Sequence, residues 1–435
     1  MAVAESTKAG LGGGIGKTRL NRQQILGFWS AWLGWLLDGM DSVIYALVLA
    51  PALTELLPRS GIAATPGEIG RVGSILFAAF LAGWGTAFIW GPIGDKFGRA
   101  KTLAATILMY AVFTGAAALS QDVWQLGLFR FLAGVGIGGE WALAGTYVAE
   151  AWPEDRRKMG AGYLQTGYYF GFFLAAALNY TIGAHYGWRA MFLCGLAPVV
   201  VGIATLVSVK EPQRWKAHAS EAKQSHPLAE LFSPRYRRRT LANVALLTVA
   251  IIGLWAAAVY EPTAIVALAR KAGMDASAAA QMASIGTGLL SIGTILGCLA
   301  MPFLAERVGR KKTLAFYFAI MALCIPLAFG WAFYLEDGLL PFMAVLFFLG
   351  FGGANFAVFS LWLPEQYDTR LRATAFAFAT SFGRFIGAGV NFLIGAMVLQ
   401  MGTLGIPIAL TAIAFGLGLL IIPLAIETKG QRLPD

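Results

Sequence analysis

Apolar residues run along this chain in long unbroken blocks divided by short charged loops. Twelve blocks are long enough to cross a bilayer as helices, which takes about 20 residues each. They cover 25–51, 70–93, 101–120, 123–149, 159–184, 190–209, 241–268, 279–304, 313–334, 338–363, 373–399 and 404–426. Barrel strands are excluded, because such runs do not alternate with a period of two. The one long polar stretch, Lys210 to Arg239, falls between the sixth and seventh blocks. The pattern therefore predicts an all-α membrane protein with a disordered tail at 1–24, a six-helix bundle at 25–209 and a linker at 210–240. A second six-helix bundle follows at 241–427, and a tail at 428–435.

The loops repeat. Gly91-Pro92-Ile93-Gly94-Asp95-Lys96-Phe97-Gly98-Arg99-Ala100-Lys101 has a degenerate second copy from Met301 to Lys312, and Arg99/Arg310 and Thr102/Thr313 are both 211 positions apart. Glu150 to Arg157 recurs as Glu365 to Arg372, 215 positions on. Two charged loops repeated in the same order predict two pseudo-symmetric bundles. Within such a loop, glycines allow a tight turn. The acid, Asp95 or Glu306, can pair with Arg99 or Arg310, or accept helix N-terminal amides. The run Gly91 to Lys101 resembles the signature between the second and third spans of the major facilitator superfamily. Gly91, Asp95, Gly98, Arg99, Glu306 and Arg310 are thereby candidate gating residues.

Composition agrees with the pattern. The chain is 58% hydrophobic and 13% charged, against about 25% charge in a soluble protein. A net charge of +10 would suit nucleic acid, but the basic residues cluster in alternate loops. The termini and even-numbered loops hold 26 Lys and Arg, the odd-numbered loops 5, and Arg130 and Arg384 inside blocks complete the 33. This asymmetry predicts cytoplasmic N- and C-termini in a plasma (inner) membrane protein. The cluster Arg237-Arg238-Arg239 in the linker reads as a membrane-surface anchor. Cys194, Cys298 and Cys324 lie in apolar blocks without metal or redox spacing. His185, His218 and His226 sit in or beside loops and form no metal or nucleophile constellation, so an enzyme is not expected.

An ionisable residue inside a span costs several kcal/mol unless paired or hydrated, so each is a functional candidate. Asp38, Asp41 and Tyr45 share one face of the first span, at i, i+3 and i+7. Two carboxylates this close cannot both ionise cheaply, and one is expected to hold a proton at neutrality. Arg130 in the fourth span and these acids have overlapping depths, which favours a pair with Asp38 or Asp41 that is released and remade during transport; the alternative is that Arg130 holds a substrate carboxylate. Arg384 sits about 16 Å up the eleventh span, near the midplane, with Gly387, Asn391 and Gly395 on its face. No carboxylate in that span neutralises it, which makes it a candidate for an anionic substrate. Glu140 is a second proton-site candidate or an Arg partner. Glu261, near the outer end of the seventh span, reads as a solvated cap. Gln165, Tyr168, Tyr169, Asn179, Tyr260 and Asn355 are candidates for lining a cavity.

Further motifs refine the resemblance. Glu211-Pro212-Gln213-Arg214-Trp215, Glu365 to Ala373 and Glu427-Thr428-Lys429-Gly430 are similar to loops of sugar porters. The seventh span, Leu254 to Tyr260, lacks the glutamine pair and asparagine with which those relatives hold hexoses. Asp38-Gly39-Met40-Asp41 resembles the aromatic-acid:proton symporters, and Arg130 to Trp141 the sialate and lactate:proton symporters. The resemblance implies proton-coupled symport of a small organic acid anion by alternating access. It implies roles in coupling and anion binding for Asp38, Asp41, Arg130 and Arg384; the in-span positions add Glu140 as a proton-coupling candidate and Asn391, Asn355, Gln165, Tyr168 and Tyr260 as candidate substrate contacts. No cofactor beyond the proton gradient and no metal is implied, and a monomer is expected. Rival readings are a carrier of organic cations or drugs, a carrier of sugars or polyols, and a transporter-like sensor.

Overall fold

A computed structural model describes residues 18–224 and 226–434, with the side chains of some helical residues, Asn391 among them, also outside the description. The described residues form helices and turns, without strands. The first half comprises α1 (Arg22–Arg59), α2 (Pro66–Gly85), α3 (Trp90–Phe97), α4 (Arg99–Ala117), α5 (Val123–Ala151), α6 (Arg157–Leu178), α7 (Ala184–Cys194) and α8 (Pro198–Ser208). Two short helices, α9 (Gln213–Gln224) and α10 (Pro227–Glu230), occupy the linker. The second half comprises α11 (Arg237–Lys271), α12 (Ala276–Val308), α13 (Arg310–Ile325), α14 (Leu339–Gly353), α15 (Asn355–Trp362), α16 (Arg372–Met401), α17 (Gly405–Ala409) and α18 (Ala412–Ile421).

Nine stretches of the described residues are long and apolar enough to cross a membrane. The other three predicted spans fall on α6, α11 and α16, continuous helices of 22, 35 and 30 residues. α6 carries glycines, tyrosines and Gln165, which lowers its hydropathy, whereas α11 and α16 each include side chains outside the description. α11 includes the basic run Arg237 to Arg239 and extends to Lys271, nearly three turns past Glu261. Glu261 is therefore not the solvated cap the sequence suggested. It is buried, and Thr287 Oγ1 donates to its carboxylate at 3.4 Å.

Within the first half, α1 packs on α6 and α5 on α2 and α4; in the second, α11 packs on α16 and α12 on α14. The two halves meet where α6 contacts α12 and where α16 contacts α2 and α3. One buried apolar cluster runs through this seam. The α1–α6 contact is a backbone contact: a Cβ on Gly39 would overlap the Tyr168 carbonyl oxygen, and one on Gly171 the Leu36 carbonyl oxygen. This approach holds Asp38 beside Tyr168.

Residues 1–17 of the predicted N-terminal tail lie outside the described residues; Thr18 and Leu433, near the described ends, lie on one face of the molecule. The Thr18 amide donates to Asp155 Oδ2 at 2.8 Å, and the Leu433 amide to Glu154 Oε1 at 3.2 Å. The repeated loops turn on this tail face through Gly98 (φ 118°) and Gly309 (φ 92°), conformations that favour glycine. A carboxylate caps the helix after each turn. Glu211 accepts from the amides of Arg99, Ala100 and Lys101 at 2.7, 3.1 and 3.0 Å. Glu427 accepts from those of Arg310 and Lys311 at 2.9 and 3.1 Å. Burial alone would raise the Glu427 carboxyl, but the backbone amides outweigh it and hold it below its ordinary value.

Candidate functional site

Between the halves lies a cavity of about 30 Å³ lined by Trp35, Trp84, Trp141, Gln165, Tyr168, Tyr169, Ile251, Phe356 and Arg384. Trp35 and Trp141 stack at 6.0 Å and 12°, and Tyr168 leans on Trp35 at 4.8 Å. Phe356 closes on Trp141 from the second half at 5.5 Å. Arg384 is the one charged side chain in this lining. It crosses from α16 to the first half, its guanidinium 4.4 Å from the Trp84 ring centre. Its Nη1 is buried with no hydrogen-bond partner among the described residues. A buried, unsatisfied charged donor is costly, so the site is built to gain from an acceptor. Flat ring faces around it suit an apolar, planar body.

Behind the aromatic wall, Asp38, Asp41, Arg130 and Glu140 are all buried. Arg130 Nη1 donates to Asp41 Oδ1 and Oδ2 at 3.2 and 3.3 Å, and the guanidinium packs on Phe80 (4.4 Å) and Tyr45 (4.7 Å). Asp38 and Glu140 are different: neither carboxylate has a hydrogen-bond partner among the described residues. Asp38 lies within electrostatic range of Asp41, Arg384 and Arg130, and Glu140 within range of Asp38. Asp38 thus stands between an arginine of the first half and one of the second.

A second, larger cavity of about 710 Å³ opens on the tail face. Its walls include Arg157, Lys158, Glu306, Arg310 and Glu365, which are ion-paired with one another. The loop residues around it tie the halves together. Glu150 holds Arg99 at 3.0 Å and Arg372 of the second half at 2.7 Å. Glu365 mirrors it, holding Arg310 at 2.8 Å and Arg157 of the first half at 2.9 Å. Asp95 pairs with Arg99 at 2.7 Å and accepts from the Ala373 and Thr374 amides at 3.2 and 2.9 Å, capping α16 across the seam. Gly91 lies against the Thr374 backbone, where a Cβ would come within 2.5 Å of the Thr374 Cα. Glu306 does not repeat the Asp95 cap; it reaches Lys158 instead. Its longer, exposed side chain extends past the helix terminus.

Of the residues singled out in the sequence, Arg384, Gln165, Tyr168 and Tyr169 line the central cavity. Arg130 does not. Asn355 is buried and donates to the Gly352 carbonyl at 3.0 Å, and Tyr260 is half-buried against the core. The Asn391 side chain lies outside the described residues. The aromatic cage of Trp35, Trp84 and Phe356 was missed. A usable signal existed: tryptophan favours the membrane interface, so Trp35, Trp84 and Trp141 in mid-span are out of place unless they line something.

The chain matches the sequence pattern described as Major Facilitator Superfamily over residues 31–299, and that described as Sugar (and other) transporter over 216–435. It is 27% identical to a probable 4-methylmuconolactone transporter of Cupriavidus pinatubonensis, with 94% of this chain and 92% of that one aligned. It is also 27% identical to a gallate transporter of Pseudomonas putida, over 91% and 89% of the two chains. The fold is similar to a solved structure of the proton:xylose symporter XylE, with a TM-score of 0.78, 19% identity, and 94% and 98% of the two chains covered.

Proposed function

Because this chain belongs to the major facilitator superfamily, we propose that it carries a small organic acid anion together with a proton across the plasma (inner) membrane. The observation that carries this reading is the unpartnered Nη1 of Arg384 inside an aromatic cavity between the halves. A monocarboxylate would accept from Arg384, and its body would lie on the Trp35, Trp141 and Tyr168 rings. Flat aromatic or unsaturated acids match those ring faces better than lactate or a sialate, and the cavity of about 30 Å³ in this closed conformation must widen to admit one. Relatives named for gallate and for 4-methylmuconolactone support that choice.

Charge balance supports coupling. With the cavity empty, an ionised Asp38 offsets Arg384. A bound carboxylate takes over that role and leaves Asp38 with a second negative charge nearby, which favours protonation. Anion and proton then load together, and the site keeps its net charge as it turns over. Asp41 is committed to Arg130, which makes Asp38 the proton carrier and Arg130 its positive neighbour, with Glu140 as the adjoining acid. The basic tail face is cytoplasmic by the Lys and Arg asymmetry. The inter-half ion pairs close that face in this conformation.

A cation carrier finds support only in the unpartnered Asp38 and Glu140, which lie behind the cavity wall, whereas the lining charge is positive. The test is uptake into proteoliposomes under an imposed inside-alkaline gradient. Benzoate and nicotinate should accumulate faster than in protein-free liposomes, where the neutral acids also cross, an ionophore should abolish the accumulation, and tetraethylammonium should not enter. Gradient-driven tetraethylammonium uptake without acid uptake would overturn the assignment.

A further inference from the structure

We infer that Trp141, Ser360 and Gln165 form an inner gate through which an occupied cavity releases the tail face; this rests on the reading of the cavity as the substrate site. Trp141 on α5 donates its indole N–H to Ser360 Oγ on α15 at 3.0 Å. The Ser360 hydroxyl in turn lies 3.3 Å from Gln165 Oε1 on α6 and 3.3 Å from the Phe356 carbonyl of its own helix. Ser360 belongs to the second half, and it is clamped between two residues of the first. Both of those residues line the cavity.

This placement is singular. Among the described residues, every other hydrogen bond between the halves belongs to the charged loops and tails: Arg99 to Thr369, Arg157 to Glu365, Arg372 to Glu150, Asp95 to α16, and Leu433 to Glu154. A ligand beside Arg384 cannot reach those groups. It can reach Trp141 and the Gln165 amide. The Trp141 ring also wedges into the second half against Phe376 at 4.9 Å, while stacking on Trp35 of its own half. Ser360 is 1% exposed, so water does not replace a broken bond while the seam is shut. A planar ligand that shifts the Trp141 ring by stacking on it, or turns the Gln165 amide by accepting from its Nε2, therefore strains the cavity's own link across the seam. Trp141 is a positioning residue in this scheme: it transmits occupancy to the seam.

The experiment measures the tail-face distance by pulsed electron resonance. Spin labels replace the exposed Asp155 and Arg307, on the two sides of the seam, in a background with the three cysteines changed to alanine. Trp141→Phe keeps the aromatic face and removes the donor; Ser360→Ala removes its partner. In ligand-free protein each variant should raise the ratio of open to closed distances about three- to tenfold, the effect of one lost hydrogen bond. The double variant should do no more than Ser360→Ala alone, because that change already removes the bond that Trp141→Phe removes. Benzoate should raise the ratio in the parent and have less effect in the variants. Folded variants with the parent's distance distribution, or a double variant that adds the two single effects, would overturn the gate. The ligand-free arm does not depend on which solute is carried. If benzoate leaves the parent's distances and tryptophan fluorescence unchanged while the variants still open, the acid assignment fails and the gate stands.

Discussion

Arg372 of the second half donates to Glu150 of the first at 2.7 Å, with both side chains fully buried. Glu150 also holds Arg99, so one carboxylate bridges two buried arginines on opposite sides of the seam, with Asp95 supplying Arg99 a second negative charge. Glu365 repeats the arrangement with Arg310 and Arg157. The duplicated sequence thus produces a crossed latch, each half supplying the acid that the other half's arginine needs.

Glu150→Gln leaves Arg99 and Arg372 buried without their shared counter-charge. Removing one partner of a buried pair costs about 3–5 kcal/mol. A clear drop in melting temperature is expected in detergent solution, measured by a thiol-reactive dye or by light scattering. A melting temperature equal to the parent's would show that the latch contributes nothing to this state.

Asp38 and Asp41 should separate in their effects although they are three residues apart. Asp41→Asn unpairs Arg130 and should destabilise the protein by about 3–5 kcal/mol. Asp38→Asn breaks no hydrogen bond in this conformation and removes only the longer-range offset of Arg384, so it should lower the melting temperature less than Asp41→Asn does. It should instead abolish proton-driven accumulation while leaving substrate exchange across the membrane intact. Counterflow and pH-gradient-driven uptake, measured side by side, check the split.

Gly171→Ala places a methyl against the Leu36 carbonyl and forces α1 and α6 apart. A cost of about 1–3 kcal/mol is expected, as for an overpacked core. Because Asp38 and Tyr168 ride on these helices, uptake should fall more than stability. Comparing melting temperature with initial uptake rate tests this.

Glu55 lies beyond the apolar part of α1, where Arg189 donates to it at 2.6 Å and Trp188 at 2.9 Å. The Arg189 bond first, and the Trp188 bond after it, hold its carboxyl below the ordinary value. A depressed folded value means stability that is present above the unfolded value, about 4.3, and lost as pH falls through the folded one. The site is partly exposed and screened, so its worth is about 0.2–1 kcal/mol. Glu55→Gln should melt slightly below the parent at pH 7, and the gap should close below about pH 4. Melting curves across that range check the sign.

Much of this architecture is legible in the sequence because bilayer physics leaves few options. Unbroken apolar blocks must be helices, and repeated loops imply repeated bundles. In-span charges mark the interior, and Arg384 was identifiable from its lone position on a glycine-rich stripe. The partners were less legible. Depth along a helix allowed Arg130 to meet Asp38, Asp41 or a substrate, and only packing of Tyr45 and Phe80 around the guanidinium selects Asp41. Glu261 was misplaced because α11 continues past the apolar block. The aromatic cage was missed because Trp35, Trp84, Trp141 and Phe356 come from four helices, and no spacing within one segment reports that they converge.

The most direct test of the central claim is a tryptophan-fluorescence titration of the detergent-solubilised protein with benzoate, comparing the parent with Arg384→Gln. The cage should report binding in the parent. Loss of a charge-assisted hydrogen bond should weaken the variant about 10- to 100-fold, with its melting temperature little changed. Equal affinity in parent and Arg384→Gln would contradict the account, because the arginine would then not be what holds the acid.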